Sequence, residues 1–157
     1  GPQMALATDT TPGAAYCDES WLQNEIPRLK AESDVLIVTV QYREFDQHQP
    51  TPGQQADFRA LADLGADVVL GTQAHLPQTF EFYPTSRSAM AFIHYGLGNI
   101  YFDQTYFYMR AYLPELYVYD GRLIALDLPI SIIDDYGRPR TMDAHNRAHF
   151  LGYMASQ

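Results

Sequence analysis

The 157-residue sequence carries a formal net charge of −9, because 19 acidic residues outnumber 10 lysines and arginines. This balance, with no cluster of basic residues, excludes a general nucleic-acid binder, which needs a basic face to neutralise phosphates. A single cysteine rules out an internal disulfide, and no apolar run approaches the roughly 20 residues that span a bilayer.

The first 17 residues differ in character from the rest. Gly1 to Met4 read as a cloning and protease-cleavage remnant, and residues 5–17 are small, polar and interrupted by Pro and Gly. We interpret 1–17 as a tag remnant and linker, and 18–157 as one domain. A remnant of this kind leaves open an anchor or a signal ahead of this segment in the natural protein.

From residue 18 onward the pattern alternates between helix and strand. Trp21, Leu22, Ile26 and Leu29 recur at helical spacing, whereas residues 34–41 are nearly all apolar and β-branched, as in a central strand. The predicted elements are a helix over 18–33, a strand over 34–41, a helix over 53–64, and strands over 67–71, 79–83 and 89–95. Because a helix between two strands allows parallel pairing, this order predicts an α/β fold, a layered sheet with flanking helices.

The C-terminal part begins with an aromatic stretch over 106–112. Segments 115–119 and 122–133 flank Asp120-Gly121, a pair typical of hairpin turns, and predict an antiparallel hairpin. A final helix is predicted over 141–154, with an inner face formed by Ala144, Ala148, Leu151 and Tyr153 or Met154.

Polar side chains follow the first two predicted strands at the point where each ends. Gln41 and Tyr42 close the first strand, with Glu44 just behind, while Gln73 and His75 follow the second. Since the carboxyl ends of neighbouring parallel strands converge, we expect Gln41 and His75 to lie side by side. His75 can bind a metal or act as an acid or base, or its ring can simply be satisfied by backbone groups, and spacing alone leaves both open.

A third polar segment, His94 to Asn99, reads H-Y-G-L-G-N and lacks the third glycine of a dinucleotide-binding fingerprint. Its glycines predict close backbone approach, and Asn99 can orient a ligand or bond the loop backbone. His145 and His149 stand four apart on the last predicted helix but lack the Glu of H-E-x-x-H, so surface or packing roles are preferred.

Four segments resemble one known family. They read D-V-L-I-V-T-V-Q-Y (34–42), P-x-x-x-Q (50–54), A-D-L-G-A-D-V-V-L-G-T-Q-A-H-L-P-Q (62–78) and I-H-Y-G-L-G-N-I-Y-F-D-Q (93–104). In this order they resemble the C-terminal part of the CapA family, the poly-gamma-glutamate capsule biosynthesis proteins, from about residue 18 to about residue 133. The resemblance implies the C-terminal half of a metallophosphatase-like sandwich. It also implies a place on the extracellular face of a bacterial cell envelope, with an anchor through a missing N-terminal segment.

Departures from the family pattern fall on the metal ligands that the resemblance implies. The usual H-W-G-x-E becomes Gln41 to Phe45, in which Glu44 matches the acid only after a one-residue shift. The usual G-H-H-P-H becomes Gly71 to His75, which keeps only His75 as an imidazole. If a divalent metal such as Mn or Zn binds, the resemblance places it at His75. The neutral amide side chains that replace the family's histidines are weak ligands for such a metal.

Three hypotheses follow from the resemblance. We favour a binding or auxiliary domain that holds an anionic or amide-rich polymer such as poly-gamma-glutamate, together with other capsule-machinery proteins. The residues expected to bind this polymer are Gln41, Tyr42, Gln73, His75, Gln78, His94 and Asn99. The alternative is a metal-dependent hydrolase or transferase of the metallophosphatase-like class, acting on poly-gamma-glutamate or a phosphoester, with His75 and Glu44 as catalytic groups. The third is self-association through the Tyr- and Phe-rich segment 101–119, although aromatic packing between the sheet and the C-terminal helix is preferred there.

Overall fold

The computed structural model describes residues 7–13, 18–101, 110–134 and 137–156. The helices are α1 (Glu19–Ala31), α2 (Pro52–Leu64) and α3 (Ala144–Ala155). The strands are β1 (Ile37–Gln41), β2 (Val68–Thr72), β3 (Phe80–Pro84), β4 (Met90–His94), β5 (Arg110–Tyr112), β6 (Glu115–Tyr119), β7 (Arg122–Asp127), β8 (Ile130–Asp134) and β9 (Arg138–Thr141). Within these ranges no helix is long and apolar enough to cross a membrane.

The main sheet has the order β1-β2-β4-β3. Strands β1, β2 and β4 run parallel, and β3 returns antiparallel beside β4. Helix α2 connects β1 to β2, as parallel pairing requires. A three-stranded sheet, β5-β8-β9, and the hairpin β6-β7 follow in the chain. The predicted α/β class, a layered sheet with flanking helices, is therefore confirmed.

Local capping explains where the first two helices begin and end. The Asp18 carboxylate accepts a hydrogen bond from the backbone N–H of Trp21, and the Thr51 hydroxyl accepts one from Gln54. Such side-chain caps satisfy N–H groups that the first turn leaves without a partner. Gly65, with φ at 149°, ends α2 directly after the predicted helix over 53–64.

Adjacent residues of β2 and β4 enter different cores, because successive side chains of a strand point to opposite faces. Val69 and Ile93 face α1 and α2, whereas Val68 and Phe92 face the second layer. The first core also contains Ile26, Phe58, Leu61, Ala62, Ala66, Ala91 and Tyr95, and the second contains Tyr112, Leu128, Ile130, Met142, Phe150 and Met154. The sheet is thus buried on both faces at its centre.

The prediction that residues 34–41 form a central strand is wrong. Strand β1 lies at one edge of the sheet, its residues alternate between exposed and half-buried, and Ile37 is 46% exposed. A continuous apolar run is compatible with burial on both faces, but it does not report how many strands lie beside it.

The C-terminal predictions are corrected in two places. The second arm of the hairpin does not continue to residue 133: β7 ends at Asp127, and β8 joins a different sheet after Leu128 and Pro129. The final helix forms, but Phe150 and Met154 are its buried residues, whereas Ala144 and Ala148 are exposed. Phe150 and Met154 are buried in preference to the alanines because burial of a larger side chain removes more apolar area from water.

The aromatic segment 101–119 is only partly described, since residues 102–109 lie outside the described ranges. Tyr101, Tyr117 and Tyr119 are at least half exposed, whereas Tyr112 is buried in the second core. Self-association through this segment stays a prediction.

Gly71, near the end of β2, lies where the chain packs closely against the end of β4. A Cβ on Gly71 would overlap the Tyr95 carbonyl oxygen and lie 2.9 Å from the Phe58 ring. We therefore expect Gly71→Ala to lower the free energy of unfolding by at least about 2 kcal/mol, through overpacking. Gly53→Ala is the matched control, because nothing lies within 4 Å of its added methyl in α2. It should be neutral or stabilising by up to about 1 kcal/mol. Urea unfolding of both variants checks this, and equal stabilities would contradict it.

Candidate functional site

Two side-chain amides meet where β1 and β2 end. The strands are in register with Gln41 opposite Thr72, and the Gln41 Nε2 donates a 2.7 Å hydrogen bond to Oε1 of Gln73. Both glutamines are exposed. The side-chain carbonyl oxygen of Gln41 and the side-chain amino group of Gln73 have no other partner among the described residues, and both side chains are exposed. This pair presents one acceptor and one donor to a ligand.

Gln73 adopts a conformation that a residue with a side chain rarely uses. Its φ is 82°, in the left-handed region that costs an L-residue about 1–2 kcal/mol. Strain of this kind concentrates at ligand sites, because the surrounding structure must hold it in place. The conformation turns the chain sharply after β2 and leaves the Gln73 amide beside Gln41.

His75 lies between an amide and a carboxylate. Its Nδ1 is 2.9 Å from Oδ1 of Asn99, and its Nε2 is 3.3 Å from Oε1 of Glu44. Both neighbouring oxygens can accept hydrogen bonds, so each ring nitrogen of His75 faces an acceptor. The His75 side chain is 15% exposed and that of Glu44 is 51% exposed. We call the surface formed by Gln41, Glu44, Gln73 and His75 the strand-end surface.

Tyr42 is directed away from this surface, toward α2. Its hydroxyl donates a 2.5 Å hydrogen bond to Asp57, and its ring meets the Phe58 ring edge-on at 5.5 Å. Burial, and then the Asp57 hydrogen bond, raise the pKa of Tyr42 to about 12. It lines a groove of about 730 Å³ between α1, α2 and the end of β1, which Gln41 also borders.

Gln78 lies beneath the strand-end loops, not on their surface. It is fully buried, and its Oε1 accepts a 2.9 Å hydrogen bond from Nε2 of Gln54, which also donates to the Tyr95 carbonyl at 3.0 Å. The Gln78 backbone N–H donates to the Gly96 carbonyl at 2.8 Å. We call Gln54, Gln78 and the Tyr95 carbonyl the amide network; it holds the start of α2 against the loops after β2 and β4.

Sequence reasoning missed Gln54, although a signal was present. Gln54 occupies the same face of α2 as Phe58 and Leu61, and it is 1% exposed. A glutamine at an apolar position of an amphipathic helix predicts a buried amide that needs partners.

His94 is fully buried within an aromatic cluster and cannot line an exposed groove. Its ring stacks on Phe80 at 5.9 Å and meets Tyr112 edge-on at 4.5 Å. Neither ring nitrogen has a hydrogen-bond partner among the described residues. Burial lowers the pKa of His94 to about 3, so the imidazole is neutral in the folded protein at neutral pH.

The residues around His75 do not fit a divalent metal centre. Structural or catalytic metal sites for Zn or Mn use at least three imidazole, thiolate or carboxylate ligands. The contacts of the His75 ring nitrogens include the Glu44 carboxylate and the side-chain amide of Asn99. No group of three or more His, Cys, Asp or Glu suited to a metal exists among the described residues.

Comparison with known proteins identifies the chain. The sequence model of the family described as bacterial capsule synthesis protein PGA_cap matches residues 2–104. The chain belongs to this family. The PGA_cap match begins inside the segment interpreted as tag remnant and linker, and the boundary at residue 18 stays a prediction.

Two relatives support membership of the PGA_cap family. The capsule biosynthesis protein CapA of Bacillus anthracis is 29% identical over 143 residues, covering 87% of this chain and 34% of the relative. The PGA biosynthesis protein CapA of Bacillus subtilis (strain 168) is 30% identical over 98 residues, covering 62% of this chain and 24% of the relative. The chain therefore spans about a third or less of the length of these relatives. The predicted likeness to the C-terminal part of the CapA family is confirmed.

The amide network gives a first prediction for the site. Gln54→Ala should lower the free energy of unfolding by about 1–3 kcal/mol, because it leaves Gln78 Oε1 and the Tyr95 carbonyl buried without their donor. Gln55→Ala, at the half-buried neighbouring position, is the control and should change stability by less than about 0.5 kcal/mol. Thermal and urea unfolding measure both; a neutral Gln54→Ala would contradict a structural role for the network.

His94 gives a pH prediction. Between pH 6.5 and about 3 the unfolded chain binds a proton at this ring that the folded chain does not, so stability falls as pH falls. His94→Phe removes this proton, and its stability should fall less steeply over this window, by up to about 1.4 kcal/mol per pH unit. Phe92→Leu, also fully buried, should lower stability by a constant amount at every pH. Parallel slopes for the wild type and His94→Phe would refute the assignment.

Proposed function

We propose that this chain is a polymer-binding domain of capsule biosynthesis, acting as a binding or auxiliary unit and not as a catalyst on its own. Its ligand is an anionic, amide-linked polymer such as poly-gamma-glutamate, held at the strand-end surface. The names of the relatives, capsule biosynthesis protein and PGA biosynthesis protein, support this polymer class. They also support a place at the extracellular face of a bacterial cell envelope, beside other proteins of the capsule machinery.

The observation that carries this proposal is the exposed pair formed by Gln41 and Gln73. The pair offers a carbonyl oxygen and an amino group next to each other, which is the complement of a peptide-type amide. The positive φ of Gln73 carries a backbone cost of the kind that is enriched at ligand sites. A polymer with an amide in every repeat unit can meet this pair at any point along its length.

The negative charge of Glu44 determines which part of the polymer contacts the Gln41–Gln73 pair. Glu44 is half exposed beside His75, so it disfavours a polymer carboxylate at that point. The strand-end surface therefore suits the backbone amides of the polymer, with its carboxylates directed elsewhere. His75 follows Gln73 by two residues and is held between Glu44 and Asn99; it supplies a further N–H donor when its contact with either partner is exchanged for the ligand.

The catalytic alternative rests on one contact, that of His75 with Glu44. A carboxylate beside an imidazole is a pair that can transfer protons, and a hydrolase or transferase would use His75 as acid or base. A metal-dependent reaction finds less support, because the donors around His75 number too few to hold an ion. Calorimetric titration with Mn²⁺ and Zn²⁺, together with a generic phosphodiester assay, separates the two functions. Heat of metal binding with hydrolysis would favour the enzyme.

The binding proposal is tested with a short gamma-linked glutamate oligomer and isothermal titration calorimetry. Gln73→Ala and Gln41→Ala should each weaken binding roughly two- to twelvefold, the range expected for one neutral hydrogen bond. Gln73→Gly removes the same amide but relieves the left-handed backbone, so it should be more stable than Gln73→Ala by about 1 kcal/mol and bind equally weakly.

Asn24→Ala is the control for this experiment, because it removes an exposed amide on α1 outside the strand-end surface. It should leave binding unchanged. If the two glutamine variants bind the oligomer as tightly as the wild type does, the strand-end surface is not the polymer site.

A further inference from the structure

A second polar cleft, of about 360 Å³, lies between the β5-β8-β9 sheet and α3. We call it the arginine cleft, and the residues that matter for its chemistry are Arg110, Ile132, Arg140, Asn146, His149 and Phe150. It uses none of the residues of the strand-end surface. Sequence patterns do not reveal this cleft, because Arg110 and Arg140 are 30 positions apart and only strand pairing brings them together.

Strand register places the two arginines on one face. Arg110 of β5 pairs with Ile132 of β8, and Ile132 pairs with Arg140 of β9. Directly paired residues in neighbouring strands project their side chains to the same face of a sheet. With a strand spacing of about 4.8 Å, the two backbones lie roughly 10 Å apart, with Ile132 between them.

Arg110 is held at the cleft by an aromatic ring and not by an acid. Its guanidinium lies 5.3 Å from the centroid of the Phe150 ring. Among the described residues, no carboxylate lies within ion-pair distance of Arg110. Arg59 and Arg147, in contrast, are paired with Glu81 and Asp127. Arg110 therefore carries a positive charge that is oriented but not neutralised within the described chain.

The other polar groups of the cleft are compatible with an anion. Asn146 and His149 contribute side-chain nitrogens from α3. Asp143 also lines the cleft, but its carboxylate caps α3: it accepts hydrogen bonds from the Asn146 backbone N–H at 3.0 Å and from Nδ2 of Asn146 at 2.6 Å. These contacts spread its charge into the helix end and reduce its effect on a ligand.

We propose that the arginine cleft binds carboxylate groups of an acidic, chain-like ligand that carries at least two of them. A guanidinium matches a carboxylate with two parallel N–H···O bonds, and two arginines on one face of the sheet favour a ligand that carries more than one carboxylate. Ile132 and Phe150 provide an apolar floor for the methylene groups between those carboxylates. In a chain with net charge −9, repulsion elsewhere on the surface directs such a ligand to this cleft.

Two contacts link the cleft to residues near the strand ends, one of them Asn99, whose side chain contacts His75. The Asn99 backbone N–H donates to the Arg110 carbonyl at 3.0 Å, and the Tyr153 ring at the cleft meets the His48 ring edge-on at 5.5 Å. A single extended polymer could therefore contact both places, but the carboxylate site does not depend on the amide site. It stands on the geometry of β5, β8, β9 and α3 alone.

The test uses a short gamma-linked glutamate oligomer, titrated at low and high salt. Arg110→Gln and Arg140→Gln should each weaken binding about tenfold or more, because each removes a charge-assisted contact. Arg110→Lys keeps the charge but loses the two-point fork, so its affinity should fall between that of the wild type and Arg110→Gln. Arg122→Gln, an exposed arginine of β7 outside the cleft, should bind as the wild type does. Wild-type affinity should fall with added salt.

Two further ligands test whether the cleft recognises the carboxylates of the oligomer or small anions in general. The fully methyl-esterified oligomer has the same backbone without charge and should lose the part of the affinity that depends on Arg110. Inorganic phosphate should compete weakly. Equal binding of the oligomer to all arginine variants, equal binding of the ester, or binding of phosphate without binding of the oligomer would each overturn the carboxylate site.

Amide chemical shifts keep this test independent of the proposed function. Oligomer binding at the cleft should shift the backbone signals of Arg110, Asn146 and His149, whereas binding at the strand-end surface should shift those of Gln41 and Gln73. At a fixed, sub-saturating oligomer concentration, Gln73→Ala should reduce only the second set of shifts and Arg110→Gln only the first. Loss of one set with retention of the other shows which of the two sites has failed.

Discussion

The strand-end surface depends on one buried hydrogen-bonded pair, Gln54 with Gln78. Through it the first turn of α2 is joined to the loop after β2 and, by way of the Tyr95 carbonyl, to the end of β4. Both side chains are inaccessible to water, so losing one partner would leave the other unsatisfied at a cost of about 1–3 kcal/mol. This penalty stabilises the observed conformation of the loops after β2 and β4. His75 and Asn99 lie on these loops, so the amide network helps to hold them in position.

The close packing of the same loops follows from small residues. A Cβ on Gly96 would lie 2.7 Å from Ala74 and from Oε1 of Gln78, and one on Gly71 would overlap the Tyr95 carbonyl. Glycine at these two positions lets the end of β4 approach the end of β2. Polar groups from both strands then meet at one edge of the sheet, as expected where parallel strands end.

Sequence patterns predicted what is local and failed on what depends on neighbours. The caps Asp18 and Thr51 are readable from a few residues, and so is the glycine that ends α2. The edge position of β1 is not, because its apolar run would look the same with strands on both sides. Gln54 was visible as a polar residue on an apolar helical face, but its partner Gln78 is 24 positions away. The row of Arg110, Ile132 and Arg140 required the register of three strands, which no single segment encodes.

The side chains at the strand ends differ in chemistry from those of the resembled family pattern. Where the resembled family pattern has imidazoles, this chain has Gln41 and Gln73, and the two amides bond each other at 2.7 Å. An amide cannot supply the negative charge that stabilises a bound divalent cation, but it can pair with another amide in both directions. Glutamine in place of histidine keeps a polar surface at the strand ends but offers only neutral oxygens to a cation. The left-handed backbone of Gln73 adds a local conformational cost at that surface.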